Sequence, residues 1–122
     1  MSRFETGIRL VIAFNEAFNR HDVPAMLQLM SDDCVVESAS PAPDGTHYSG
    51  RESVTQYWQD FFRLSPDVHC EIEDIFSLGP RCIMRWRSGS LDAAGKKAGL
   101  RGVDIFQVRE GFISETLSYV KG

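Results

Sequence analysis

The sequence predicts an α+β domain in which three helices from the N-terminal half cover one face of a curved, mainly antiparallel β-sheet, in the order ααβαββββ. Two observations carry this. Hydrophobic residues recur at helical spacing up to a break before Pro66, and beyond it the period falls to two across four runs separated by turn formers. A length of 122 residues with 43% hydrophobic and 11% aromatic side chains suits one domain over 1–122 with a sizeable core.

From Phe4 to Arg20, Phe4, Ile8, Val11, Ile12 and Phe18 mark one helical face, widened by Leu10, Phe14 and Ala17. Asp22 is placed to cap a second helix whose first turn tolerates Pro24 and whose Met26, Leu27, Leu29 and Met30 turn inward; Ser31-Asp32-Asp33 ends it. Cys34 to Glu37 reads as a short strand, followed by a loop rich in turn formers from Ser40 to Gly45. Ser49 with Glu52 matches a capping box, and Val54, Tyr57, Trp58, Phe61 and Phe62 give the third helix one apolar face. The four β-like runs are Val68 to Phe76, Cys82 to Gly89, Leu100 to Val108 and Phe112 to Val120. Gly79-Pro80, Asp92-Ala93-Ala94-Gly95 and Arg109-Glu110-Gly111 are the turns between them, so the last three runs form an antiparallel meander.

A net charge of −4, with no basic cluster larger than Lys96-Lys97, argues against nucleic-acid or anionic-membrane surfaces. Cys34, Cys70 and Cys82 are odd in number and lack metal or redox spacing, so they read as small core residues in a reducing, cytoplasmic setting. No apolar run approaches a membrane span, and no signal-peptide pattern opens the chain. Neither a phosphate-binding glycine loop nor a metal motif is present, so no cofactor and no metal are expected.

The most informative residue is Asp104, a carboxyl inside Gly102-Val103-Asp104-Ile105-Phe106-Gln107-Val108. A charge in such a strand is costly to bury, so it is met by a partner or its pKa is raised, and either prepares a carboxyl for hydrogen-bond or acid–base chemistry. An ion pair with Arg85, Arg87 or Arg101 is the structural alternative. Strand alternation sets Phe106 on the face of Asp104 and Arg101 on the other, and pairs Met84 with Trp86 against the outward Arg85 and Arg87.

The element order, with Asn19-Arg20-His21-Asp22, Tyr48-Ser49-Gly50-Arg51-Glu52 and Arg101-Gly102-Val103-Asp104-Ile105-Phe106, resembles the nuclear-transport-factor-2-like superfamily from about Ile8 to Tyr119. The SnoaL-like polyketide cyclases and the ketosteroid isomerases are its most similar branches. The resemblance implies a cone-shaped sheet around a pocket for a small hydrophobic ligand, and a homodimer joined through the outer faces of the sheets. It sets Asp104 where an isomerase has its protonated oxyanion-hole aspartate. Ser38, preceded by Glu37, stands where that enzyme has its base, and Phe14 where it has its tyrosine. A cyclase with one principal aspartate fits better, whereas Arg85-Trp86-Arg87 departs from the Arg-x-Asp of the limonene-epoxide hydrolases.

The expected site therefore has Asp104 as acid or base, with His47 from the loop before the third helix assisting. Phe14, Trp58, Trp86, Phe106 and Ser38 are expected to line the ligand. His21 is expected to brace the turn between the first two helices, and His69, Glu71 and Glu73 to face solvent. The function expected is cyclase, isomerase or dehydratase chemistry on a small apolar carbonyl compound. The alternatives are a non-catalytic binder of a hydrophobic molecule, or a dimerising scaffold whose pocket is filled by side chains.

Overall fold

The computed structural model describes residues 3–91 and 97–121. Helices α1 (Arg3–Asn19), α2 (Val23–Gln28) and α3 (Arg51–Leu64) pack on a sheet of β1 (Met30–Glu37), β2 (His47–Ser49), β3 (His69–Leu78), β4 (Arg81–Leu91), β5 (Lys97–Arg109) and β6 (Phe112–Lys121). The strand order is β2-β1-β6-β5-β4-β3, and β1 runs parallel to β6 while every other pair is antiparallel. The predicted α+β class and helix order hold. The turn expected over Asp92–Gly95 and the packing of the Phe4 side chain lie outside the described residues.

Local chemistry explains the helix boundaries. Asp22 Oδ1 accepts from the Ala25 N–H at 3.1 Å, capping α2 as its sequence position predicts. His21, at φ 56°, turns the chain between α1 and α2, donates from Nε2–H to Val68 O at 3.0 Å, and stacks on Phe62. The capping box expected at Ser49 is absent. Gly50, at φ 89°, is the N-cap of α3 with no side-chain bond, because Ser49 is drawn into β2 opposite Val35. That edge strand is the main architectural difference from expectation: His47 and Tyr48, read as loop, and Ser49, read as a helix cap, instead pair with the end of β1.

Two bulges interrupt the antiparallel ladders, and the parallel β1–β6 ladder shifts register between Met30 and Val35. Glu73 is the extra residue between the Ile72–Trp86 and Asp74–Arg85 pairs, and Ser114 the extra one between Glu115–Gln107 and Ile113–Val108. A bulge bends its strand and reverses which alternate residues face inward. Cys70 and Ile72 accordingly face the helices before the bulge, and Ile75 after it. Glu73 is left on the outside, where it bridges Arg101 at 3.0 Å and Arg87 at 3.8 Å.

Cys34, Val36, Cys82, Met84, Phe106 and Ile113 from the sheet meet Val11, Phe14, Val54, Trp58 and Phe62 from the helices in one buried core. All three cysteines are buried and unbridged. Among the described residues, no helix is long and apolar enough to cross a membrane.

Candidate functional site

Between the concave face of the sheet and helices α1 and α3 the core does not close. A cavity of about 1240 Å³ remains, bordered by residues of the loop after β1 and of α3 as well as by the sheet. Register builds its floor: Ser118, Asp104 and Met84 are direct cross-strand neighbours on β6, β5 and β4, and Thr116, Phe106 and Cys82 form the next row. Phe14 closes one wall, edge-on to both Trp58 and Phe106 at centroid distances of 6.1 and 5.9 Å.

Asp104 is half-buried, and the part it exposes lines the cavity. No arginine reaches it: Arg101 and Arg87 are taken by Glu73 on the opposite face. Its partners are neutral. Trp86 Nε1–H donates to Oδ1 at 3.0 Å, and the Ser118 hydroxyl bonds the same carboxyl. Loss of solvation raises its pKa to about 6, because the two neutral donors, each of which lowers it, offset only part of the cost of burying the charge. A carboxyl poised there takes up and releases protons near neutral pH.

Trp86 can reach Asp104 only because of Gly102, its cross-strand partner. A Cβ on Gly102 would stand 2.5 Å from Trp86 Cζ2 and 2.5 Å from the Tyr119 carbonyl oxygen. The bare glycine backbone lets the indole lie across β5 and turn its N–H toward the carboxyl.

The expected ligand-lining residues Phe14, Trp58, Trp86, Phe106 and Ser38 all border the cavity, as does Asp104. His47 does not. It is exposed on edge strand β2, where alternation gives the inward position to Tyr48; a role beside Asp104 is thereby corrected. Ser38, the residue after β1, is buried like Cys34 and Val36, but its hydroxyl braces the following loop, donating to Ser40 O at 3.0 Å and accepting from Thr46 N at 3.2 Å. Glu37 also borders the cavity, because the chain leaves the sheet there and both neighbouring residues line it.

Residues that sequence reasoning passed over complete the site. Ser118, a strand polar residue with no motif around it, holds Asp104. Tyr57, assigned to the core face of α3, instead lines the cavity against Tyr48, with ring centroids 4.5 Å apart. Burial, then the nearby charges of Tyr48 and Asp104, push its hydroxyl up to about 12. Cys70 is likewise pushed up to about 12 by burial and by Asp104, so its thiol stays protonated and unreactive. The alternation of strand residues could have flagged Ser118; nothing local distinguishes Tyr57 from its neighbours. Among the described residues, no three His, Cys, Asp or Glu side chains converge to hold a metal ion.

This geometry, a carboxyl on a curved sheet beneath three helices, can be set beside known proteins. Residues 11–116 match the SnoaL-like domain. An NTF2-like protein of unknown function from Mesorhizobium loti is 34% identical, with a TM-score of 0.83 over 100% of this chain and 96% of its own. IdmH of Streptomyces antibioticus, provisionally assigned as a polyketide cyclase, is 21% identical with a TM-score of 0.79, covering 94% of this chain and 91% of its own. AclR of Streptomyces galilaeus, provisionally assigned as a hydroxylase, is 16% identical with a TM-score of 0.75, covering 93% and 77%. The latter two speak to the fold alone. No curated protein matches the sequence. With the match spanning nearly every element that builds the cavity, the chain belongs to the SnoaL-like family and has the nuclear-transport-factor-2-like fold.

Proposed function

We propose that the protein carries out acid–base chemistry of the cyclase, isomerase or dehydratase kind on a small, largely apolar carbonyl compound, using its own side chains as acid and base. One observation carries this reading: Asp104 stands in an apolar cavity, held by Trp86 and Ser118 and met by no cation. As carboxylate it removes a proton from the carbon beside the carbonyl. The C–H electron pair forms the new double bond, the carbonyl oxygen takes the negative charge, and the carboxylic acid then returns the proton to another carbon or to a leaving oxygen. Trp86 Nε1–H, a donor only, fixes Oδ1 as an acceptor and so orients the carboxyl.

The test is α-proton exchange into D2O followed by NMR across a panel of ring-containing ketones, with wild type against Asp104→Asn. The reading expects bound ketones to exchange faster with wild type and the gain to vanish in the variant. Equal rates with both proteins would sink it. A non-catalytic carrier is the second reading, favoured by Phe14 and the engaged hydroxyl of Ser38 where an isomerase has its tyrosine and base. A scaffold with a filled pocket fits poorly with a cavity of about 1240 Å³.

The partner inferred for the outer sheet face is a second copy of the chain. Phe76, Ile83, Ile105 and Leu117 are successive cross-strand partners on that face and form an apolar row over four strands. The rows beside it are mixed, with Asp74 and Arg85 next to Val103 and Tyr119 on one side, and Arg81 and Glu115 next to Leu78 and Gln107 on the other. An apolar centre with a polar rim is how protein interfaces are built.

A further inference from the structure

A carbonyl or enolate oxygen in this cavity must be held by neutral donors, because none of the described side chains lining it is Lys, Arg or His. Several of the lining donors are engaged or covered. Trp86 and Ser118 bond Asp104, Asn15 Nδ2 donates to Cys70 O at 3.2 Å, and Ser38 braces its own loop. Trp58 Nε1 and Thr116 Oγ1 have no partner, but neighbouring atoms cover both. Tyr57 differs from these. Its ring is fixed between Tyr48 at 4.5 Å and Trp58 at 4.8 Å, and its side chain borders the cavity within electrostatic reach of Asp104.

We propose that Tyr57 donates the hydrogen bond that holds the oxygen of the bound compound across the cavity from Asp104, and that this compound is an uncharged ring carbonyl. The inference rests on the acid–base reading and adds to it a donor and a charge class. It moves the oxygen-holding group from α1, where Phe14 offers no hydroxyl, to α3. Burial keeps the phenol protonated, so it remains a donor over the whole range in which Asp104 titrates. The charge class follows from the lining: Glu37, Glu52, Asp60 and Asp104 are its carboxyls, with no lining cation to set against an anionic ligand. A carboxylate or phosphate would enter against repulsion and find no partner.

The experiment uses three matched probes: 2-tetralone, tetralin, which lacks the carbonyl, and 1,2,3,4-tetrahydro-2-naphthoate, which carries a charge. Calorimetric titration of wild type is expected to favour 2-tetralone over tetralin by about tenfold, the effect of one net hydrogen bond. The carboxylate is expected to bind at least about tenfold more weakly than the ketone. Tyr57→Phe is expected to lose the preference for the ketone while binding tetralin as before. In the infrared, the carbonyl band of bound 2-tetralone should lie lower than in cyclohexane for wild type and shift back upward in Tyr57→Phe. A variant that keeps both the preference and the band position overturns the proposal. So does a wild type with no preference for the ketone, binding of neither probe included, or one that prefers the carboxylate. The band in wild type needs no variant to fold. If Asp104→Asn leaves proton exchange unchanged, the acid–base reading falls while the Tyr57 comparison, which reads binding alone, still stands or falls by itself.

Discussion

The indole of Trp86 lies across the backbone of Gly102, too close for any side chain there, and from that position its N–H reaches Asp104 at 3.0 Å. A residue without a side chain thus sets the environment of the acid. Gly102→Ala is expected to push the indole away and destabilise the fold by about 1–3 kcal/mol through overpacking. The denaturant midpoint should fall and tryptophan emission change together; a midpoint within error of wild type would show that β5 can yield without cost.

Asp104 makes the fold less stable as pH rises. Its pKa is about 6 when folded and near 3.8 as an ordinary carboxyl, so between those values the folded chain binds more protons than the unfolded one. Its contribution is therefore lost from pH 4 upward and is fully absent above pH 6, a difference of at most roughly 3 kcal/mol. Asp104→Asn keeps an acceptor for Trp86 and stays neutral. It is expected to be more stable than wild type at pH 8 and to converge with it near pH 4, as read by urea titrations at both values.

Removing the donors moves the same equilibrium further. Trp86→Phe and Ser118→Ala each take away a hydrogen bond that favours the charged carboxyl, so the Asp104 pKa is expected to climb above about 6 in both. Carboxyl carbon shifts followed by NMR against pH check this, and a value that falls would mean that the donors stabilise the protonated form instead.

Asn19 completes an edge strand. Its side chain accepts from Cys70 N at 2.8 Å and donates to Cys70 O at 2.9 Å, standing in for the strand that β3 lacks on that side. Asn19→Ala is expected to cost about 1–2 kcal/mol, since the Cys70 N–H loses its partner while Cys70 O keeps only the longer bond from Asn15. Asn15→Ala should cost less, because Cys70 O keeps its bond to Asn19; equal losses would contradict the division of roles.

On the outer face, Ile83→Lys places a charge in the apolar row between Phe76 and Ile105. Sedimentation is expected to show a dimer for wild type and a monomer for the variant, with the cavity probes still bound. A monomeric wild type would remove the self-docking reading.

Residue spacing was enough to reveal the three helices, the four-strand series and the face shared by Asp104 and Phe106, because periods of about 3.6 and 2 are local properties of the backbone. Spacing also separated Arg101 from Asp104. It could not show β2, three residues long, and so left His47 free to be imagined at the mouth. Nor could it show the bulges at Glu73 and Ser114, where one unpaired residue reverses the alternation. The surroundings of Asp104 were decided only in three dimensions. Trp86 and Ser118 come from the strands on either side, Gly102 opens the path between them, and Tyr57 enters from a helix 47 residues earlier in the chain. Desolvation depends on everything that packs around a group, so an acid can be found in a strand by reading along it, while its strength and its partners belong to the folded whole.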